Sequence, residues 1–311
     1  MLSTLEILLP IFGLILAGYV CRKRNVMGPN AASELNRFVV WLALPALLFD
    51  TISHASFKDL YRPGFIATFT IAVAIIFAVT LVWRLATGRH LSDAAVDAIA
   101  AAYPNTAYIG FPLGMIVFGE ASQTPAMIAT LIVACVFFAV AIVLIEIGVQ
   151  SERRPHKLAA KVVMSLLKNP LIVSPIVGGL VAAAHITLPQ SADTFLKLLG
   201  NAASPCALVC LGLFLAQPRP SAALRGASIV LTVAKLLIQP AVTWWLAAKV
   251  FKLDPEMVDI TVVLAALPTG TGPFMLAEFY KREALITSQT ILLTTVVSLL
   301  TLTGVLTLMA R

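Results

Sequence analysis

The sequence predicts an all-α membrane protein with ten transmembrane helices. Of its 311 residues, 59% are hydrophobic and only 12% are Asp, Glu, Lys or Arg, whereas a soluble domain is about half apolar and roughly a quarter charged. Too few charged side chains remain to cover a surface in water, and the high apolar content excludes disorder. A helix needs ~20 apolar residues to cross a bilayer, so the chain has room for about ten crossings with their loops.

Ten apolar segments follow one another, and no linker between them is long enough to hold a soluble domain. Helix 1 ends at a basic run, helix 2 carries Pro45, helix 3 is an unbroken apolar run, and helix 4 is interrupted near its middle. Helix 5 leads into SERRPHK (residues 151–157), the most polar stretch, and a short amphipathic segment then runs to Lys168. Helices 6 and 7 are apolar runs, helix 8 contains Lys235, helix 9 is interrupted, and helix 10 closes the chain. The ten predicted helices span approximately residues 5–21, 33–52, 64–85, 93–118, 124–149, 170–185, 193–216, 222–250, 255–279 and 285–309.

The basic residues predict the topology. Most of the Lys and Arg residues of the short loops fall on the side of the SERRPHK loop, and such loops stay in the cytoplasm. We therefore expect both termini outside and the central loop inside, which agrees with an even number of helices. Because the +7 net charge is spread over loops in this way, it indicates membrane topology, and we expect no nucleic-acid partner.

The central loop divides the chain into halves of five helices, residues 1–150 and 151–311. Landmarks recur at matching places, since Pro45 of helix 2 corresponds to Pro205 of helix 7. VDAIAAAYPNT from Val96 in helix 4 corresponds to VDITVVLAALPTG from Val258 in helix 9. An odd number of helices in each half gives the halves opposite orientations, which is the inverted-repeat arrangement of secondary transporters.

The breaks in helices 4 and 9 are the candidate binding site. They are YPNTAYIGFP (residues 103–112) and LPTGTGP (residues 267–273). Proline removes a backbone donor and glycine adds backbone freedom, and such a break must be buried or line a watery cavity. The half-helix N-termini suit a carboxylate, although a kink used only for packing would give the same pattern. The candidate substrate-binding residues are Pro104, Asn105, Thr106, Pro268, Thr269, Gly270, Thr271 and Gly272.

Four charged residues lie in or beside apolar runs. Lys235, near the middle of helix 8, is expected to be a counter-charge for an anionic substrate or a partner for a buried acid, if it does not reach the interface instead. Asp50, Glu146 and Glu278 are candidate proton-coupling groups, or acids that reach the interface. Because neither break contains a carboxylate, we rank sodium coupling below proton coupling or passive movement.

No motif indicates an enzyme. HExxH and GxSxG are absent, and GTG at residues 270–272 lacks the third glycine of a dinucleotide fingerprint. The four cysteines form no CxxC pair or metal-ligand spacing, so we expect no cofactor and no metal. The alternative to a carrier is a channel or a sensor built on a transporter fold.

Four segments resemble the auxin efflux carrier family, which includes the plant PIN carriers and bacterial malonate- and malate-type permeases. They are LALPALLF in helix 2, PNTAYIGFPLG in helix 4, KNPLI before helix 6 and LPTGTGPFMLAEFY in helix 9. The family's crossover asparagine and proline correspond to Asn105 and Pro104, and its second crossover proline corresponds to Pro268. The long cytoplasmic loop of some plant members is absent.

The resemblance implies a 5+5 inverted repeat, as in bile-acid symporters and sodium/proton antiporters, with helices 4 and 9 crossing at their breaks. Helices 1, 2, 6 and 7 would form a scaffold and the surface of a homodimer, and helices 3–5 and 8–10 a moving transport domain. It also implies an elevator-like carrier of a small mono- or dicarboxylate, such as malonate, malate or an auxin-like acid, in a bacterial inner membrane.

Overall fold

The computed structural model describes residues 4–54, 61–150, 155–217 and 226–309. Apart from one isolated β-bridge, the regular structure of these residues is helical. We give the helices the numbers of their predicted counterparts, with a and b for the two parts of an interrupted helix. The first half contains α1 (Thr4–Lys23), α2 (Ala31–Ser53), α3 (Pro63–Ala86), α4a (Leu91–Ala102), α4b (Phe111–Phe118) and α5 (residues 123–149). The second half contains α6 (Pro170–Ala183), α7 (Gln190–Leu215), α8 (Gly226–Val250), α9a (Pro255–Ala266), α9b (Gly272–Phe279) and α10 (Leu285–Met309), and an amphipathic helix (Pro155–Lys168) precedes α6.

The predicted helix bounds that fall on described residues are confirmed to within a few residues, whereas the predicted start of helix 8 at residue 222 lies outside the described residues. The first break is shorter than predicted. The prediction placed it at residues 103–112, whereas the chain is non-helical only at residues 103–105 and resumes as a π-helical turn, Thr106–Gly110, that runs into α4b. Pro112 comes two residues after this turn, and the wider π-helical turn lets the helix continue past the proline, so Pro112 does not lengthen the break. The SERRPHK loop lies largely outside the described residues.

Six helices in the described part of the chain are long and apolar enough to cross a membrane by length and composition. They include α2, α3, α7, α8 and α10, and the sixth runs from Leu113, near the start of α4b, through α5. At the turn between α4b and α5, Gly119 has a φ of 63°, a left-handed conformation that glycine adopts without strain. The parts of helices 4 and 9 are short because each helix is broken.

Two of the long helices contain a π-helical turn just before a proline. In α2 the turn Val39–Ala43 precedes Pro45, and in α8 the turn Ala234–Ile238 precedes Pro240. A proline ring crowds the carbonyl four residues earlier and has no N–H to donate. Local widening of the helix relieves this clash while the helix continues.

The helices pack in two groups. In the first group α1 packs chiefly on α7, and α2 packs on α6 and α7. In the second group α3 and α5 pack on α4a, α8 packs on α9a and α3, and α10 packs on α8 and α9a. Fully buried aromatic and aliphatic side chains such as Phe65, Phe69 and Phe274 fill the core of the second group.

Glycine allows the closest helix approach of the first group. A Cβ atom at Gly18 of α1 would collide with the carbonyl group of Val209, and one at Gly212 of α7 would collide with the carbonyl group of Ile15. Each collision is with backbone, which cannot rotate away as a side chain can. The two glycines therefore set the distance between α1 and α7.

Substituting Gly212 by alanine is expected to destabilise the protein by ~1–3 kcal/mol, because the two helices must separate to admit the methyl group. The midpoint of thermal unfolding in detergent measures this effect and should fall by several degrees. Gly304→Ala is the matched control, because a Cβ there has no neighbour within 4 Å and alanine favours a helix. Equal midpoints for Gly212→Ala and Gly304→Ala would contradict the close packing.

Candidate binding site at the two helix breaks

The two breaks pair with each other through their backbones. Pro104 and Thr269 form an isolated antiparallel bridge. The Asn105 N–H donates to the Pro268 carbonyl at 2.8 Å, and the Gly270 N–H donates to the Tyr103 carbonyl at 3.1 Å. Each break therefore supplies hydrogen-bond partners that the other lost when its helix stopped, and this is the condition for irregular backbone at membrane depth.

Threonine side chains complete the hydrogen bonding around this pairing. The Thr269 hydroxyl donates to the Ala100 carbonyl of α4a at 3.0 Å, and its N–H donates to the Thr294 hydroxyl of α10 at 3.1 Å. The Thr130 hydroxyl of α5 donates to that of Thr106 at 2.9 Å. These bonds attach the breaks to helices on both sides of them.

Helix α8 supports the C-terminal ends of both first half-helices. Lys235 Nζ donates to the carbonyl of Ala265 in α9a at 2.7 Å, and Gln239 Nε2 donates to the carbonyl of Ala102 in α4a at 3.4 Å. Both side chains are fully buried. The last carbonyls of a helix have no intrahelical donor, so α8 supplies one for each half-helix.

Gly270 and Gly272 let an aromatic ring pack against the second break. A Cβ at Gly270 would lie 2.9 Å from the Tyr103 ring, and one at Gly272 would lie 3.1 Å from Phe138 and 3.2 Å from Tyr103. The Tyr103 and Phe138 rings are tilted against each other with centroids 6.0 Å apart. The absence of two side chains therefore permits an aromatic wall beside the breaks.

A cavity of about 650 Å³ opens onto this pairing. At its deep end are Asn105, Thr106, Gly270, Thr271 and Gly272, and its walls come from α2, α5 and α7. The volume is in the range of sites for small organic ligands. The polar residues Asn201 and Ser204 of α7 and Thr130 of α5 also line it.

The deep end of the cavity is suited to a carboxylate. The second half-helices begin there, one at Thr106 and the other at Gly272, and helix N-termini carry partial positive charge and free N–H groups. Among the described residues, the side chain of Asn105 makes no capping hydrogen bond to its helix, so its amide can donate to a ligand. The charged lining residues Asp50 and Lys197 lie nearer the ends of α2 and α7.

The cavity mouth carries a cluster that the sequence did not reveal. His54 lies with Nδ1 3.2 Å from Asp50 Oδ1 and Nε2 3.2 Å from Asp193 Oδ1. Lys197 Nζ pairs with Asp193 Oδ2 at 2.8 Å. Three potential metal-ligand atoms thus lie within 4.8 Å of one another. Asp193 Oδ2 already accepts a hydrogen bond from Lys197, and His54 Nδ1 lies 2.9 Å from the backbone carbonyl of Asp50.

Polar contacts hold the opposite ends of the helices together. Tyr280, after α9b, donates to Glu146 Oε1 of α5 at 2.7 Å, and Asn169 Nδ2, at the start of α6, donates to the Tyr280 hydroxyl at 3.3 Å. Arg282 forms a bidentate pair with Asp93 of α4a at 2.8 and 2.7 Å. This pair raises the pKa of the Arg282 guanidinium. We call Asn169, Tyr280 and Glu146 the inner latch.

The structure places the predicted site residues in different surroundings. Asn105, Thr106, Gly270, Thr271, Gly272 and Asp50 line the cavity, whereas Pro104, Pro268 and Thr269 form the pairing beside it. Lys235 does not line the cavity, because its side chain extends to the carbonyl of Ala265. Its expected contact with substrate is therefore not present in this structure. Glu146 lies in the inner latch, and Glu278 is half-buried in α9b away from the cavity lining.

The apolar helices and the paired breaks beside a cavity define an integral membrane transport protein. The family described as "Membrane transport protein" matches residues 3–306, and the chain belongs to this family. The resemblance to auxin efflux carriers is thereby confirmed, and the protein is a transporter rather than an enzyme.

Three relatives illustrate the range of this family. A protein of Rhizobium meliloti (strain 1021) named "Putative malonate transporter" is 32% identical over 306 residues, which are 96% of this chain and 94% of that protein. Auxin efflux carrier component 3a of Oryza sativa subsp. japonica is 31% identical over 132 residues, 41% of this chain and 21% of the carrier. The lysosomal cholesterol signaling protein of Mus musculus is 26% identical over 314 residues, 94% of this chain and 36% of that protein.

We expect Gly270→Ala to destabilise the protein by ~1–3 kcal/mol, because the added methyl group would displace the Tyr103 ring. Tyr103→Leu should absorb part of this effect, so the double variant Gly270→Ala/Tyr103→Leu should be more stable than the sum of the single variants predicts. Thermal unfolding of the four proteins measures the coupling. If the stability changes of the two single variants simply add in the double variant, the ring does not require the glycine. Gly179→Ala is the control, because its added methyl group would have its nearest neighbour 3.7 Å away.

Proposed function

We propose that this protein is a secondary transporter of a small organic anion, a mono- or dicarboxylate such as malonate, malate or an auxin-like acid. The observation that carries the proposal is the convergence of two helix N-termini and the Asn105 amide on the deep end of one cavity. Uncharged donors there would bind a carboxylate by hydrogen bonds and helix dipoles. The name of the Rhizobium meliloti relative supports a dicarboxylate substrate.

The negative ends of the same helices support an anion rather than a cation in the cavity. The C-terminal carbonyls of α4a and α9a bond to Gln239 and Lys235 of α8, and neither α8 residue lines the cavity. The partial negative charges are thus held away from the cavity while the positive ends face it. The negative ends of the first half-helices and the positive ends of the second half-helices, whose electric fields would otherwise cancel, are thereby kept apart.

The proposed architecture is ten membrane crossings in a 5+5 inverted repeat, residues 1–150 and 151–311. Two observations support it. Helices 4 and 9, the fourth of each half, are each broken once, and the two breaks pair as an antiparallel bridge. The proposed protein is a homodimer in the bacterial inner membrane, with both termini outside and the central loop in the cytoplasm.

The proposed mechanism is elevator-like alternating access between the two packing groups. Helices 1, 2, 6 and 7 form the scaffold, and helices 3–5 and 8–10 carry the site. The cavity lies between the groups, since α2 and α7 line one side of it and α4b, α5 and α9b the other. The inner latch joins α6 of the scaffold to α5 and α9b on the opposite side, so the structure corresponds to the state open toward Asp50 and His54.

Glu146 is the best-placed proton-coupling group of the three predicted acids. Its side chain is buried, and it accepts hydrogen bonds from Tyr280 and, at 3.4 Å, from Gln150. Protonation would convert the Glu146 carboxylate into a neutral carboxyl group, which accepts a weaker hydrogen bond from Tyr280. The inner latch would thereby loosen. Asp50 lies at the cavity mouth, where it would meet an entering anion first.

A signalling role is the second candidate function. It is favoured by one observation, the match of 94% of this chain to part of a mouse protein named for cholesterol signaling. A carrier gives saturable uptake in liposomes, a channel gives conductance without saturation, and a sensor binds its ligand without moving it. Binding of a carboxylate with no uptake in either direction would favour the sensor.

Asn105→Ala is expected to reduce malonate uptake into liposomes at least ~10-fold while thermal stability is kept, because a hydrogen bond to a charged group contributes ~1.5–3 kcal/mol. Asn105→Asp should reduce uptake further, because a carboxylate repels the anion. Asn201→Ala, farther along the cavity wall, is the control with a smaller effect. Normal uptake by Asn105→Ala would refute the assignment of the site to the breaks. If none of a panel of mono- and dicarboxylates shifts the unfolding midpoint of the wild type, the proposed substrate class is wrong.

Tyr280→Phe should shift the protein away from the conformation described here, because it removes a bond to Glu146 and the acceptor of Asn169 while keeping the ring. The readout is the rate at which a membrane-impermeant maleimide labels Ser204→Cys in a background whose native cysteines are replaced. Loss of ~1 kcal/mol of latch energy shifts the equilibrium between the two states by about 5-fold, so the labelling rate should fall. The control is Tyr61→Phe, which changes an exposed tyrosine and should be labelled at the same rate as the parent protein. An unchanged labelling rate in Tyr280→Phe would rule out the latch.

A further inference from the structure

Lys235 is a fully buried cation without a carboxylate partner among the described residues. It lies in the π-helical turn Ala234–Ile238 of α8 with none of its surface exposed. The bond recorded for its ammonium group is the one to the Ala265 carbonyl at 2.7 Å. A buried lysine within a membrane helix is costly unless something replaces its hydration, so the surroundings of the ammonium group call for an explanation.

Helix ends supply the compensating negative charge. Ala265 is in the last turn of α9a, and Ala102 is the last residue of α4a. Carbonyls at a helix C-terminus carry partial negative charge and lack intrahelical donors. Lys235 and Gln239, about one turn apart on α8, each donate to one of these carbonyls. The negative ends of both half-helices therefore lie against the same face of α8.

An unpaired oxygen lies on this face as well. Gln239 is completely buried, and in the part of the chain described its Oε1 has no hydrogen-bond partner. A buried amide oxygen without a donor is unusual and destabilising. Uncharged carbonyl and amide oxygens are ligands that replace the hydration shell of monovalent cations in proteins. This face of α8 therefore combines the Ala265 carbonyl bound to Lys235, the Ala102 carbonyl bound to Gln239 and an unpaired amide oxygen.

We propose that the C-terminal ends of α4a and α9a, with Gln239, form a monovalent-cation site in which the ammonium group of Lys235 takes the place of a free ion. Lys235 is then a positioning residue: it holds the end of α9a, as Gln239 holds the end of α4a, and it makes the wild-type protein independent of sodium. Shortening the side chain to alanine removes the chain from Cγ to Nζ and leaves the oxygens for a small ion. The transport consequences rest on the proposed function, whereas cation binding does not.

The test compares thermal unfolding of purified Lys235→Ala in sodium chloride and in choline chloride at equal ionic strength. Wild type should unfold at the same midpoint in both salts. Lys235→Ala should be less stable in choline and should recover by about 4 °C or more in sodium, with a saturable dependence on its concentration. Uptake of malonate by Lys235→Ala in liposomes should become sodium-dependent by at least about 5-fold at the same concentrations.

Two matched variants separate the site from general effects of charge and packing. Lys235→Met fills the space without a charge, so it should lose stability and gain nothing from sodium. Lys249→Ala removes an exposed lysine of the same helix, near the Trp244 ring, and should behave like wild type in both salts.

The proposal is overturned if Lys235→Ala has the same midpoint in both salts, if it cannot be obtained folded even in sodium, or if Lys235→Met responds to sodium equally. The result is independent of the proposed function. If wild-type protein moves no carboxylate but the midpoint of Lys235→Ala still depends on sodium, the transport proposal fails and the cation site stands. If uptake by the wild type is saturable but the variant ignores sodium, the reverse holds.

Discussion

The structure depends on one constraint, that a backbone N–H or carbonyl group inside a bilayer needs a partner from the protein. Helices 4 and 9 are interrupted in the described part of the chain, and each interruption would leave such groups unpaired. The bonds from Asn105 to Pro268 and from Gly270 to Tyr103 satisfy the two breaks mutually. Neither break would be tolerable alone at that depth, so the packing of α4a, α4b, α9a and α9b against one another follows from the pairing.

The same constraint separates the negative from the positive ends of the broken helices. Breaking a helix exposes a negative and a positive end that an unbroken helix would keep at the membrane surfaces. In this protein α8 contacts the negative ends through Lys235 and Gln239, and the cavity contacts the positive ends at Thr106 and Gly272. The proposed anion site needs no arginine or lysine at its deep end, which is consistent with a chain in which only 12% of the residues are charged.

The sequence predicted the helices well, because apolar length and the position of prolines determine where a helix can lie in lipid. It also identified Asn105 and the residues around Gly270, since proline and glycine at matching places in two halves mark a break whatever the tertiary structure. It could not tell which side of α8 Lys235 occupies, because both the buried and the exposed faces of this helix carry apolar residues, so helical periodicity does not separate them. The cluster at His54 was missed for a related reason: Asp50 and Asp193 are distant in sequence, and only the packing of α2 on α7 brings their carboxylates to one imidazole.

The contact between the two packing groups is mostly apolar. Trp41 of α2 packs on Phe279 with ring centroids 6.2 Å apart, and Phe214 of α7 meets Phe274 edge-on at 4.6 Å. Each ion pair between two described residues joins helices of the same group. Sliding of one group past the other would therefore break none of these ion pairs and bare none of these charges to lipid. The activation barrier for such a movement would be set by the repacking of these aromatic rings and by the opening of the inner latch.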